Sequence, residues 1–198
     1  EETAAFDDAL MEKYLHDEPI SEELIIRALR KGTLSGAISP VMAGTALKNK
    51  GTRLLLDKIV ELLPSPLDVG ACRGVSVKDS GKEEWREPSD DAPFAALAFK
   101  ILTDPHVGRL TFIRVYSGVI KAGDQVMNAR TGRKERLGRL LEMHADERKD
   151  LKEFHAGDIG AVIGCKNTTT GDTLCNMDKP LTLESVDFPE PVVRIAIE

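Results

Sequence analysis

The residues with the clearest chemical potential form a basic run: Arg130, Arg133, Lys134, Arg136 and Arg139. Permanent positive charge at that density suits an anionic partner, and phosphates above all; it breaks no bonds by itself. Nucleophiles and bases are scattered elsewhere. Cys72, Cys165 and Cys175, with His16, His106, His144 and His155, show neither C-x-x-C nor H-E-x-x-H spacing. Neither a disulfide framework nor a metal centre is therefore expected. No G-x-S-x-G elbow accompanies the serines, which leaves serine-type hydrolysis unsupported. The phosphate-cradling string G-x-x-x-x-G-K-[ST] is absent as well. Asn49-Lys50-Gly51-Thr52 carries the first two letters of the guanine-reading N-K-x-D element. Thr52 stands where a carboxylate would have to accept from the guanine ring, so that reading is rejected. No catalytic residue is assigned.

The elements that would position these residues change character along the chain. Phe6, Leu10 and Tyr14 recur at helical spacing, and Asp17-Glu18-Pro19 interrupts them. Ser21 before Glu22-Glu23 predicts a capped second helix with Gly32 as its stop. Ala37–Ala43 reads as a short strand with Pro40 as an edge signal. Thr52–Leu63 reads as a helix ended by Pro64-Ser65-Pro66. One strand among three helices makes an incomplete α/β pattern, a partial segment ending near residue 66. Residues 67–92 read as a linker, with Gly70, Gly74, Gly81, Pro88 and a run of charges, and Trp85 is expected to cover a domain joint.

From residue 93 short strands take over. They are expected at Phe94–Leu102, Leu110–Tyr116, Val119–Lys121, Gln125–Ala129, Lys134–Met143, Ile159–Ile163 and Thr173–Cys175. Gly123-Asp124, Gly157-Asp158 and Gly171-Asp172 each read as a tight turn, with glycine giving the positive φ and aspartate closing the loop. Many short strands at this spacing predict a closed barrel over residues 93–188 with Phe94, Phe99, Phe112 and Phe154 in its core. Pro189-Glu190-Pro191 reads as a second joint before a strand at Val192–Ile197.

Composition bounds the function classes. The 198 residues carry a net charge of -6, with 27 basic and 33 acidic side chains. The charge is uneven: residues 1–35 are acidic and residues 93–180 carry a positive excess. An anionic partner would therefore meet the third block, where Glu135 and Glu142 are expected to neutralise part of the basic run. No apolar stretch approaches the length of roughly 18–20 residues that spans a bilayer. The first residues lack a secretory leader, and the unpaired cysteine count suits a reducing compartment, so a cytoplasmic location without membrane contact is expected.

Gly44-Thr45-Ala46-Leu47-Lys48-Asn49-Lys50-Gly51 and Leu62-Leu63-Pro64-Ser65-Pro66 resemble the last strand and helix of the G domain of bacterial elongation factor G. Asp104-Pro105-His106-Val107-Gly108-Arg109-Leu110-Thr111-Phe112-Ile113-Arg114-Val115-Tyr116-Ser117-Gly118 is similar to the signature of that family's second domain. Thr169–Cys175 and Phe188–Val192 continue the resemblance in the family's order.

The resemblance implies a fragment of a translational GTPase that promotes ribosomal translocation of transfer and messenger RNA. In that reading residues 1–66 are the tail of a P-loop GTPase domain, 93–188 the domain II barrel, and 189–198 the start of domain III. The fold is mainly β, preceded by a helix-helix-strand-helix segment. By the same resemblance Thr45, Ala46 and Leu47 form the guanine loop, with Ala46 N–H donating to the guanine oxygen and the Thr45 hydroxyl steadying the loop. GTP or GDP is then the cofactor of the full-length protein, and this chain alone is expected neither to hold it tightly nor to hydrolyse it. Arg130, Arg133, Lys134, Arg136 and Arg139 would face small-subunit ribosomal RNA, and the rest of the factor would be a further partner. Leu24, Ile25, Leu55 and Ile59, stripped of the sheet they would cover, are expected to drive self-association. A ribosomal-protection or release-factor relative, or a free-standing RNA- or protein-binding barrel, remain open alternatives.

Overall fold

The computed structural model describes residues 1–79, 81–104, 107–145 and 147–183. His106, the Phe188–Val192 string and the strand expected at Val192–Ile197 lie outside the described residues. The chain divides into two units, Glu1–Asp68 and Val69–Glu198.

The first unit is helical. A 3-10 turn at Glu2–Phe6 precedes α1 (Asp8–Leu15), α2 (Glu22–Leu34) and α3 (Thr52–Leu62), and α4 (Pro66–Val69) begins at its end. Asp7 caps α1 by accepting from Leu10 N–H at 3.3 Å. The same buried carboxylate takes Arg27 Nε at 3.0 Å and Lys31 Nζ at 2.7 Å, so one side chain ties α1 to α2. Ser21 caps α2 as its type suggests, through Leu24 N–H. Gly32 does not stop that helix. It sits buried inside it, where a Cβ would come within 2.7 Å of Ile38 and 3.0 Å of Phe6, so the glycine permits a close approach. Ala4, Leu10 and Ala28 form the small core, flanked by Met11, Ile20 and Leu24.

The strand expected at Ala37–Ala43 does not form; the segment is irregular and mostly exposed. A strand persists only where neighbours take its N–H and C=O groups, and no partner strand exists among the described residues of this unit. Pro40 removes one donor as well. The only strand-like pairing there, among the described residues, is an isolated bridge between Thr45 and Lys50. The helix-helix-strand-helix expectation thus becomes a purely helical segment.

The second unit is antiparallel β. The stretch expected as linker opens with β1 (Cys72–Ser76) and β2 (Glu83–Arg86), which pair with each other. The other strands are β3 (Ala95–Asp104), β4 (Gly108–Ser117), β5 (Ile120–Lys121), β6 (Gln125–Asn128), β7 (Lys134–Arg136), β8 (Arg139–His144), β9 (Glu147–Leu151), β10 (Glu153–Phe154), β11 (Ile159–Ile163), β12 (Thr173–Cys175) and β13 (Leu181–Thr182). A small sheet has the order β13-β1-β2, and β10 pairs with β5. Trp85 lies on β2 opposite Arg73 and is 60% exposed among the described residues.

The main sheet runs β7-β6-β12-β3-β4-β11-β8-β9. No ladder joins its two ends among the described residues, so the expected closed barrel is not seen as such. Only Leu137 and Gly138 separate β7 from β8, and both are bonded to the sheet. Leu137 N–H donates to Asp124 O at 2.9 Å, and Gly138 N–H donates to Ile163 O at 2.8 Å. One continuous segment, 134–144, therefore pairs with β6 at its start and with β11 at its end.

Thirteen buried residues form the core of this sheet, among them Phe94, Ile113, Val115, Leu137, Leu140, Phe154, Val162 and Leu174. Phe94 and Phe154 lie in that core, whereas Phe99 is exposed. Phe112 instead packs against a smaller cluster around Leu110, Leu141 and Ala161. Gly160 makes room for Phe154; a Cβ there would collide with its ring and lie 2.9 Å from Leu141 O.

The three Gly-Asp turns share one geometry. Gly123, Gly157 and Gly171 have φ of 93°, 98° and 90°. The following aspartate accepts from the N–H three residues earlier: Asp124 from Lys121 at 3.0 Å, Asp158 from His155 at 2.7 Å, and Asp172 from Thr169 at 2.8 Å.

Candidate nucleic-acid interface

The five cations of the basic run do not stand alike. Arg130 grips Asp172 with Nε to Oδ1 at 2.5 Å and Nη2 to Oδ2 at 3.0 Å, and it reaches Thr169 Oγ1 at 3.1 Å. Asp172 also accepts from Asn128 Nδ2 at 2.7 Å. Burial raises the Asp172 pKa, but Arg130, the Thr169 N–H and Asn128 outweigh it and hold the carboxyl below its ordinary range. Arg139 forms a two-point pair with Asp150 of the neighbouring β9, at 2.9 and 2.8 Å. Both arginines are therefore matched by carboxylates.

Arg133, Lys134 and Arg136 are different. Strand alternation turns Lys134 and Arg136 outward and Glu135 inward. Arg133 Nη1 lies 3.5 Å from Asn167 Oδ1, and Arg136 Nε donates to Gly123 O at 3.3 Å. Among the described residues no carboxylate pairs with any of the three.

Glu135 does not neutralise the outer face as its position in the run suggested. It is 3% exposed and turned to the loop Cys165–Thr169, accepting from Lys166 N–H at 3.0 Å, Asn167 N–H at 2.7 Å and Thr168 Oγ1 at 3.3 Å. Glu142 pairs with Lys149 across β8 and β9. Arg109 holds the same loop from another side, donating to Lys166 O at 3.0 Å and to Thr168 O. Arg109 and Lys166 thus join the basic surface, although their sequence positions lie far from the run. Only the spatial approach of β4, β7 and the loop brings them together, and no local pattern announces it.

The Thr45-Ala46-Leu47 loop lies in the helical unit. Thr45 and Lys50 exchange backbone bonds at 3.0 and 3.1 Å, and Asn49 takes a left-handed φ of 50° to close the loop. Leu47 is 98% exposed. A surface depression of 270 Å³ opens beside it, lined by residues that include Gly44, Thr45, Ala46, Lys50 and Leu55.

Two comparisons give this geometry a setting. Residues 93–177 match the family model described as elongation factor G domain 2. The chain contains an elongation factor G domain 2-like module. Every strand from β3 to β12, both arginine–carboxylate pairs and the Glu135-held loop fall within the module's bounds. The chain is also similar in fold to a solved structure of a protein from Thermus thermophilus, with 26% identity and a TM-score of 0.69. That alignment covers 96% of this chain and 26% of the other, so the chain spans about a quarter of that protein's length. No helix among the described residues is long and apolar enough to cross a membrane.

Proposed function

We propose that the chain is part of a translational GTPase of the elongation factor G type and that its domain 2-like module docks on small-subunit ribosomal RNA. The observation that carries this reading is the domain 2 match over residues 93–177. In this proposal the main sheet acts as a barrel, with segment 134–144 serving as the shared stave, and the whole factor promotes translocation in the cytoplasm. The basic face supplies affinity through phosphate contacts, which position a protein on RNA without reading its sequence.

Thr45, Ala46 and Leu47 would meet the guanine edge of GTP or GDP in the complete factor. The loop is compact and its Leu47 end is open, which suits contact with a flat base edge. The sequence carries no phosphate-cradling string, so the phosphates and their hydrolysis would rest on other parts of the protein. A single guanine contact of about 1–3 kcal/mol falls well short of micromolar affinity.

Titration with fluorescent GDP and co-sedimentation with small ribosomal subunits test both halves. Subunit binding that weakens as salt rises, with no nucleotide binding below the millimolar range, is the expected result. Micromolar GDP binding by this chain would overturn the nucleotide half. Failure to sediment with subunits at low salt would overturn the ribosome half.

A further inference from the structure

We infer that the RNA-contacting surface is the corner built by β7 and the Cys165–Thr169 loop, that Glu135 is its positioning residue, and that the partner is the phosphate backbone of duplex RNA. This inference rests on the ribosomal RNA reading above and assigns the contacts within it.

The corner differs from the rest of the basic face in two respects. Its cations are unmatched: Arg133, Lys134 and Arg136 on one side and Lys166 on the other have no carboxylate partner among the described residues. Arg130 and Arg139 already hold Asp172 and Asp150, and recruiting them to phosphate would mean breaking two-point ion pairs. The corner is also fixed in place. Glu135 takes two N–H groups and a hydroxyl of the loop, while Arg109 bonds two of its carbonyls. A loop held by both its donors and its acceptors loses little freedom on binding, so less of the electrostatic gain is spent on ordering.

The chemistry points to a backbone and away from bases. No residue in 130–139 or 165–172 is aromatic, so the corner offers no stacking platform for unpaired bases. Exposed Asn167 and Thr169 add neutral donors beside the cations, a combination that suits the phosphates and 2′-hydroxyls of an RNA helix.

The test uses the full chain in filter binding to small ribosomal subunits, and to an RNA duplex of about 16 base pairs and its separated strand, between about 50 and 200 mM salt. Lys134→Ala, Arg136→Ala and Lys166→Ala should each lower the salt slope by about 0.7–0.9, and Arg130→Ala and Arg139→Ala should leave it unchanged. Glu135→Gln separates positioning from charge. It removes a negative charge, so a pure net-charge effect would tighten binding, whereas loss of the loop's anchor should weaken it about three- to tenfold. If Glu135→Gln fails to fold by circular dichroism, Thr168→Val decides instead, because it removes one anchoring bond without changing charge.

No binding by the unaltered chain overturns the ribosomal RNA reading and this inference together. Binding that depends on Arg130 and Arg139 but not on the corner leaves that reading standing and overturns the inference. Tighter binding by Glu135→Gln removes the positioning role, and preference for the single strand removes the duplex.

Discussion

Single residues carry much of the specificity of this fold, and their charge states make them testable. His155 Nδ1 meets Asp90 Oδ2 at 2.8 Å, Ala156 N–H donates to the other oxygen of Asp90, and Glu153 lies 3.5 Å from Nε2. The bond to Asp90 comes first in raising the His155 pKa, with the charges of Asp90, Glu153 and Asp158 adding to it. A raised folded-state value means the contact stabilises fully below the unfolded histidine value of about 6.5 and is lost as pH rises through the folded one. His155→Gln should therefore flatten the dependence of melting temperature on pH above about 6.5, while leaving in place the acid limb set by carboxylates with other partners, such as Asp7 and Asp68. The cysteines give a second reading. Burial, and then the Glu135 charge, push the Cys165 thiol up to about 11. Cys165 and Cys175 should resist a thiol-specific dye in the native protein at about pH 8, half-buried Cys72 should react slowly, and all three should react at once in denaturant. Fast native labelling of Cys165 would contradict the Glu135-held corner.

Elements show where sequence reasoning succeeds and where it lacks information. The Gly-Asp turns were legible because glycine and aspartate carry the local geometry themselves, through a positive φ and a side-chain acceptor three residues from its donor. Strands β3, β4, β6, β11 and β12 were legible from their apolar and β-branched runs. Strand β9 was not: Glu147-Arg148-Lys149-Asp150 shows no apolar alternation, because it hangs on the edge of the sheet and pairs only with β8 among the described residues. The hairpin of β1 and β2 was hidden by the glycines and charges that made it read as linker. The strand at 37–43 failed for the opposite reason, since a local pattern had no neighbour to complete it. At the site, the run 130–139 was legible as charge, but its division was not; pairing with Asp150 and Asp172 and the inward turn of Glu135 depend on tertiary neighbours. Equal turns also have unequal duties. Asp124 closes its turn alone, whereas Asp172 serves Arg130, Asn128 and Thr169 together. Asp124→Ala should cost about 1 kcal/mol and Asp172→Ala about 2–3 kcal/mol in denaturant unfolding. Equal losses would show that the Asp172 network contributes nothing beyond its turn.

At the scale of the whole molecule the two units differ in how much they bury. The helical unit has Ala4, Leu10 and Ala28 at its core, and Leu54, Leu55, Leu56, Ile59 and Val60 of α3 are exposed. The β unit has a thirteen-residue cluster. Calorimetry should resolve two transitions, the lower one missing when residues 1–68 are removed, and hydrogen exchange should protect β3, β4 and β11 most strongly. A single transition for the full chain would show that the units unfold as one. The exposed α3 face keeps self-association open as a proposal, with light scattering at rising concentration as its measurement.

The strand shared between β6 and β11 also bears on how this protein could be taken apart. Cutting the chain between Leu137 and Gly138 would leave each piece with one half of the same stave: the N-terminal piece keeps the ladder to β6, and the C-terminal piece keeps the ladder to β11. Neither piece could complete the sheet alone, and each would expose the edge that the other fits. Co-expressed halves should therefore find one another and restore the fold, which makes this junction a natural place to build a split reporter.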